Sequence, residues 1–312
     1  MRIDLHTHSL VSDGTDRPAD LVARAREAGL DVVGLTDHDS GDGWAEAVAA
    51  GRRLGVVVVP GIELSAHEPV PGEAPGALAT DRRAVHVLGY GVDPTEPALA
   101  ADLAAIGQGR RDRIPKMLAQ LAALGLPLTV DEVRAQAGDA VIGRPHVADA
   151  LVARGYARHR DEVFARWLRD DGPIRVRRFT PDVGRAVDLV VGAGGLAVLA
   201  HPWARGGQER LTVRRIEELV AEHGLAGLEA DHPDHEADQR AALRRLAERL
   251  GLLATGSSDY HGLGKRGHPL GACTTSEEVW SRLRAKLTGT RHDLATTTPG
   301  REPAAEGATG PG

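Results

Sequence analysis

Nine residues carry side chains suited to holding divalent metal ions: His6, His8, Asp13, His38, Glu63, His86, His201, Asp259 and His261. Each lies at or just after the end of an apolar, strand-like run, and parallel α/β architectures gather their chemistry at the carboxyl ends of strands. Nine nitrogen and oxygen donors exceed the needs of one ion, so the reading is a cluster of two or three. Enzymes use such clusters to hydrolyse phosphoesters. His6 and His8 are two apart, and the strand period of two points both imidazoles to one face. Asp4 has the same parity and is expected to support a ligand from behind. Asp37, His38 and Asp39 follow the apolar run Val32-Val33-Gly34-Leu35, with the two aspartates read as supports or helix caps. Glu63 ends another apolar strand, where a carboxylate is expensive to bury without a cation.

The elements that must position these groups alternate. Strands are expected at Ile3 to His8, Val32 to Thr36, Val56 to Leu64 and Val85 to Val92, and again at Leu196 to Ala200, Leu225 to Ala230 and Leu252 to Thr255. Helices lie between them. Asp16 or Thr15 is expected to cap the first helix, with Pro18 in its first turn and Gly29 closing it. Thr180 is expected to cap another, with Pro181 at its first position. From 94 to 179 helical segments dominate: Glu96 to Leu124, Val130 to Ala137, Pro145 to Arg154 and Arg160 to Arg169. Thr129 and Glu132 have capping-box spacing. The chain therefore reads as about seven βα units, a parallel barrel or barrel-like sheet (1–93 and 180–290) split by a helical insertion (94–179). The Pro/Gly/Ala/Thr-rich stretch at 291–312 is expected to be a disordered tail.

Bulk properties narrow the function. A net charge of -6 and a pI near 6.2 argue against a general nucleic-acid coat protein. No run of about 18 apolar residues appears, which argues against a membrane span, and no apolar signal stretch precedes the first strand. Cys273 is the single cysteine, so a reducing cytoplasm is the simplest setting. No Ser/His/Asp triad, P-loop or dinucleotide motif competes with the metal reading; Gly192-Ala193-Gly194-Gly195 precedes a strand rather than opening a helix.

Asp4-Leu5-His6-Thr7-His8-Ser9, Thr36-Asp37-His38, Pro60-Gly61-Ile62-Glu63, His86, His201-Pro202 and Ser258-Asp259-Tyr260-His261 appear in the order of the motifs of the PHP (polymerase and histidinol phosphatase) family, which residues 1 to 290 resemble. The resemblance implies a distorted (β/α)7 barrel with two or three divalent metal ions, manganese first, with iron or zinc accepted. It further implies that His6, His8, Glu63 and Asp259 share one ion, that Glu63, His86 and His201 surround another, and that Asp13, His38 and His261 hold the third. Within the family the insertion most resembles stand-alone phosphatases of nucleoside 3',5'-bisphosphates or AMP and a 5'-3' exoribonuclease. The expected partner is thus a small phosphorylated nucleotide or a short RNA 5' end, with no membrane and no obligate protein partner. Arg144 and His146, in Gly143-Arg144-Pro145-His146, are expected to grip a phosphate. Arg113, in a basic cluster with Arg110, Arg111 and Lys116, and the pair His232 and His235 are further candidates on the substrate side. Histidinol-phosphate phosphatase and a non-catalytic, metal-stabilised interaction module are the competing readings.

Overall fold

A computed structural model describes residues 1–287 apart from 71, 73–77, 80–83, 139–141 and 170–171. The expected tail at 291–312 lies outside these residues, as does much of the Pro/Gly-rich stretch at 67–83. In chain order the elements are β1 (Ile3–Thr7), α1 (Pro18–Glu27), β2 (Val32–Leu35), α2 (Trp44–Leu54), β3 (Val57–His67), β4 (Leu78–Ala79), β5 (Ala84–Tyr90) and α3 (Pro97–Ala123). There follow α4 (Val130–Ala137), α5 (Arg144–Ala153), α6 (Arg160–Val163) with a π-helical turn at Phe164–Leu168, β6 (Arg178–Phe179) and α7 (Val183–Gly192). The chain continues through β7 (Leu196–Ala200), α8 (Val213–His223), β8 (Gly227–Asp231), α9 (Ala237–Leu250), β9 (Leu253–Gly256) and α10 (Glu277–Leu287).

Seven strands form one sheet in the order β1-β2-β3-β5-β7-β8-β9. It curls until its edges meet: the His8 N–H donates to the Tyr260 carbonyl at 2.8 Å, beside a parallel bridge between Thr7 and Tyr260. The result is a distorted seven-stranded barrel, as the residue pattern implied, with one correction. β5 runs antiparallel to both neighbours, pairing Glu63 with Leu88 and His86 with Ala200, while β1-β2-β3 and β7-β8-β9 are parallel. Antiparallel neighbours such as β3 and β5 need no crossover helix between them, whereas parallel ones do. Gly34 lets β1 and β2 approach, because a Cβ there would lie 2.3 Å from the Leu5 carbonyl oxygen.

Side chains fill the barrel interior. Ile3, Leu5, Val32, Val59, Leu88, Tyr90, Val198 and Leu253 pack together, and Trp280, Leu283 and Leu287 of α10 join them from the end where the strands begin. That leaves the carboxyl ends of most strands free for chemistry. A second apolar layer packs the surrounding helices on the outer face, where Leu21, Ala47, Val187, Ile216 and Leu243 are buried.

α3 links the barrel to the helical insertion. Its buried positions run Leu99, Asp102, Ile106, Arg113, Ile114, Met117, Leu118 and Leu121, a stripe at helical spacing. Leu99 and Ile106 join the barrel's outer core, whereas Ile114 to Leu121 join an insertion core with Val133, Val147, Leu151, Val163 and Leu168. The Thr129–Glu132 capping box forms as expected, the Glu132 N–H donating to Thr129 Oγ1 at 3.2 Å and the Thr129 N–H to Glu132 Oε2 at 2.7 Å.

Two expected caps are not made. α1 starts after Arg17 with no side-chain cap; Asp16 instead accepts from the Tyr260 hydroxyl at 2.6 Å, and Thr15 from the Leu263 N–H at 2.9 Å. α7 is capped by Asp182, which accepts from the Arg185 N–H at 3.0 Å, while Thr180 Oγ1 lies 3.1 Å from His67 Nδ1. Tertiary partners outcompete the helix ends for these side chains.

Candidate metal centre

All nine expected donors converge at the mouth of the barrel. Glu63, buried at the middle of the group, touches five imidazoles: Oε1 lies 2.8 Å from His86 Nδ1 and 3.1 Å from His201 Nε2. Its Oε2 lies 2.9 Å from His38 Nδ1, 3.2 Å from His8 Nε2 and 3.4 Å from His6 Nε2. Asp259 Oδ1 stands 3.6 Å and 3.4 Å from the same two nitrogens of His6 and His8. Asp13 faces His261 Nε2 at 3.2 Å and His38 Nε2 at 3.9 Å.

The local chain is shaped to present them. Gly14 makes the turn behind His8 possible, since a Cβ there would lie 2.3 Å from the His8 carbonyl oxygen. Asp39, His201 and Asp259 take positive φ of 54°, 30° and 53°, a costly conformation for non-glycine residues that concentrates at functional sites.

Whether the donors suit cations can be tested on their own geometry. His6 Nε2 and His8 Nε2 lie 2.9 Å apart in a fully buried position. Two imidazole lone pairs at that distance repel unless a proton or a cation lies between them. His38 Nδ1 and His86 Nδ1 are close to Glu63 yet out of line for a hydrogen bond with it. Three donor groups converge within 4.8 Å: His8, Asp13, His38 and His261; His6, His8 and Asp259; His38, Glu63 and His86. A fourth group, His232, Asp259 and His268, extends the cluster inward. These groups overlap the expected partition but redistribute it, with His8 and His38 each joining two. The donor set fits more than one divalent cation.

The electrostatics tie buried acids to imidazoles: against burial, Asp259 and Glu63 push His8 up to about 9. Burial pushes the Glu63 carboxyl up, but the imidazoles of His38, His86 and His6 hold it well below the usual glutamate range. Burial likewise opposes ionisation of Asp13 and Asp259, yet His261 and His38 hold the first well down, and Lys265 and His6 the second. Burial drives His201 down to about 4, keeping its ring neutral as a ligand requires.

Supporting residues differ from the expectation in part. Asp37 accepts from the Ser9 N–H at 2.8 Å and the Ser12 hydroxyl at 2.6 Å, and Asp39 from the Ser65 N–H at 2.6 Å, so both are braces rather than helix caps. Asp4 does not reach the His6 or His8 rings. It accepts from the Ser258 and Gly271 N–H groups at 3.0 and 2.8 Å, holding the segment that carries Asp259. The brace behind His6 is Glu229, which sequence reasoning missed: Oε1 lies 3.0 Å from His6 Nδ1, and Oε2 accepts from the His201 N–H at 2.7 Å. A glutamate inside the apolar run Leu225 to Ala230 was the available signal, the same one that marked Glu63.

The substrate-side candidates divide. Arg144 and Arg113 line the cleft above the donors. Arg144 donates to the Leu168 carbonyl at 2.6 Å and lies 5.1 Å from the centre of the Phe164 ring. His146 is buried, its Nδ1 accepting from the Gly143 N–H at 3.0 Å. His232 and His235 are also buried and do not line the cleft. His232 Nε2 lies 3.2 Å from Asp259 Oδ2; His235 bonds the Ala230 carbonyl at 3.0 Å and accepts from the Trp203 N–H at 3.3 Å. Arg160, Arg178, Arg210 and Lys265 line the cleft unforeseen, because nothing in local spacing marks a cation that reaches a distant site. Among the described residues no helix is long and apolar enough to cross a membrane.

The comparisons with known proteins fit this geometry. The model of the PHP domain matches residues 4–104. The 3',5'-nucleoside bisphosphate phosphatase of Chromobacterium violaceum is 34% identical over 91% of this chain and 97% of its own length. The chain belongs to the PHP family. A second relative, the phosphoribosyl 1,2-cyclic phosphate 1,2-diphosphodiesterase of Eggerthella lenta, is 36% identical over 83% of this chain and 94% of its own. A Bifidobacterium adolescentis protein assigned as a metal-dependent phosphoesterase has a crystal structure that matches with a TM-score of 0.82 at 33% identity, over 91% of this chain and 96% of that one. The present chain is accordingly a metal-dependent PHP phosphoesterase, a hydrolase of phosphoester bonds.

Proposed function

We propose that the protein removes one phosphate from a small nucleotide that carries two, a 3',5'-nucleoside bisphosphate. The observation that carries this reading is the composition of one cavity of about 690 Å³. Its wall holds Asp13, His38, Glu63, His86, His201, Asp259 and His261 together with eight arginines and one lysine. In a chain of net charge -6, these cations outnumber the six acidic residues of the same wall, Asp39, Asp161 and Asp234 included, which favours an anionic substrate with phosphate groups to spread over them. The volume suits a small molecule. The bisphosphate phosphatase relative, matched over nearly its whole length, supports the same substrate class.

In this reading the nine donors would hold the ions, with Glu63 at the centre of the group. Bound divalent ions supply Lewis acidity and a deprotonated water at neutral pH. The chain's own residues do the rest. Arg113, Arg144 and neighbouring cations neutralise the phosphate oxygens, and Glu229 fixes the His6 ring through Nδ1 so that Nε2 faces the cluster. The barrel (1–93 and 180–290) carries the donors and the insertion (94–179) caps the substrate. Manganese fits an all nitrogen and oxygen donor set, which iron and zinc also accept. The single unbridged cysteine, Cys273, suits a reducing cytoplasm.

The test is phosphate release with added manganese from adenosine 3',5'-bisphosphate, AMP, histidinol phosphate and a 5'-phosphorylated oligoribonucleotide. The bisphosphate is expected to be the best substrate. Fastest release from histidinol phosphate, or tight metal binding with no release from any of the four, would overturn the proposal.

A further inference from the structure

The cleft wall is almost entirely charged or small, and among the described residues Phe164 is the one Phe, Trp or Tyr that lines it. That is a distinctive placement in a chain with 3% aromatic residues. Tyr90, Trp44, Trp203 and Trp280 are buried in the barrel. Phe164, by contrast, is half-buried: it packs against the insertion core and also lines the cleft.

Its position is fixed from three sides. The π-helical turn Phe164–Leu168 buries Leu168 while leaving Phe164 and Ala165 on the cleft wall, and π-helical turns recur at functional sites. The Arg144 guanidinium packs on the ring at 5.1 Å and is itself tied to the Leu168 carbonyl at 2.6 Å. One turn earlier, Arg160 is clamped by Asp149 at 2.8 and 2.5 Å and donates to the Gly264 carbonyl at 2.7 Å. Gly264 belongs to the loop that follows the candidate ligands Asp259 and His261. The ring is therefore held in register with the donor cluster.

We infer that Phe164 is the seat of the substrate's nucleobase: a flat heterocycle lies on the ring while Arg144 polarises the stack and faces the nearby phosphate. This deepens the nucleotide reading above and rests on it. An exposed aromatic face binds any base with little sequence preference, and an adjacent guanidinium adds to the attraction. Phe164 would be a specificity residue without a role in bond cleavage.

The test is equilibrium binding of AMP and of ribose 5-phosphate, titrated separately into the full chain as purified. The two probes share their phosphate and ribose and differ by the base. Wild type is expected to bind AMP about tenfold more tightly than ribose 5-phosphate. That ratio should fall to about one in Phe164→Leu, which keeps apolar bulk in the insertion core, and should be retained in Phe164→Trp. Equal affinity of wild type for the two probes, or an unchanged ratio in Phe164→Leu, would overturn the inference. Because the ratio needs no turnover, a protein that releases no phosphate yet shows this pattern would sink the phosphoesterase substrate proposal and leave the base seat standing.

Discussion

Glu229→Gln isolates a brace from the cluster it braces. Glu229 is fully buried, lies 3.0 Å from His6 Nδ1, accepts from the His201 N–H at 2.7 Å and also accepts from the Ser257 hydroxyl. Burial pushes its carboxyl up, but His6 and His232 outweigh burial and bring it from 4.5 to about 2. At about 1.4 kcal/mol for each pH unit, that drop is worth roughly 3 kcal/mol to the folded, metal-free protein at neutral pH. The sign follows from the depressed value. The contribution is complete above pH 4.5 and fades as pH falls toward 2, so wild type and variant should converge in acid. Gln keeps the shape but loses the charge that orients the His6 ring, and loss of such an outer partner costs about 10–100-fold in metal affinity or activity. The assay is urea unfolding of chelator-treated proteins at pH 7, paired with manganese titration. A stability loss below about 1 kcal/mol together with unchanged manganese affinity would refute the reasoning.

Three further outcomes follow from the same geometry. Asp13→Ala should lower turnover by about 100-fold or more, beyond the effect of an outer brace, in a protein that still folds by circular dichroism; near-normal turnover would contradict a third ion at Asp13, His38 and His261. Chelation should abolish phosphate release and manganese restore it, while manganese at about 100 times its Kd raises stability by about 2.7 kcal/mol per site; a melting temperature that ignores the metal would argue against binding in this cluster. Arg160→Ala removes the tie between the insertion and the Gly264 loop and should cost about 1.5–3 kcal/mol while raising KM about tenfold with little change in kcat, so an unaltered KM would deny the insertion its capping role.

Much of the fold was legible because each barrel strand is a short apolar run bounded by turn residues. What stayed hidden has a common cause. The pattern of β5 says nothing of its direction, so the parallel reading failed only there. Asp16 and Thr180 are good helix caps by type, but Tyr260 and His67 compete for them from elsewhere in the chain. His232 and His235 follow the sixth predicted strand, as a substrate-side donor would, and local sequence cannot tell a ring that faces the cleft from one that braces Asp259 or the Trp203 backbone. Glu229 could have been found, since it repeats the signal of an acid inside an apolar strand.

Residue type and local periodicity alone determined the donor chemistry and its placement at strand ends, because both depend on neighbours a few positions away. Only the tertiary structure decided which donors share a site and which cations overlook it. Arg160 meets Gly264 across 104 positions and His6 meets Glu229 across 223. Such distances are set by the closure of the sheet and the docking of α3, properties of the packed whole that no local pattern encodes.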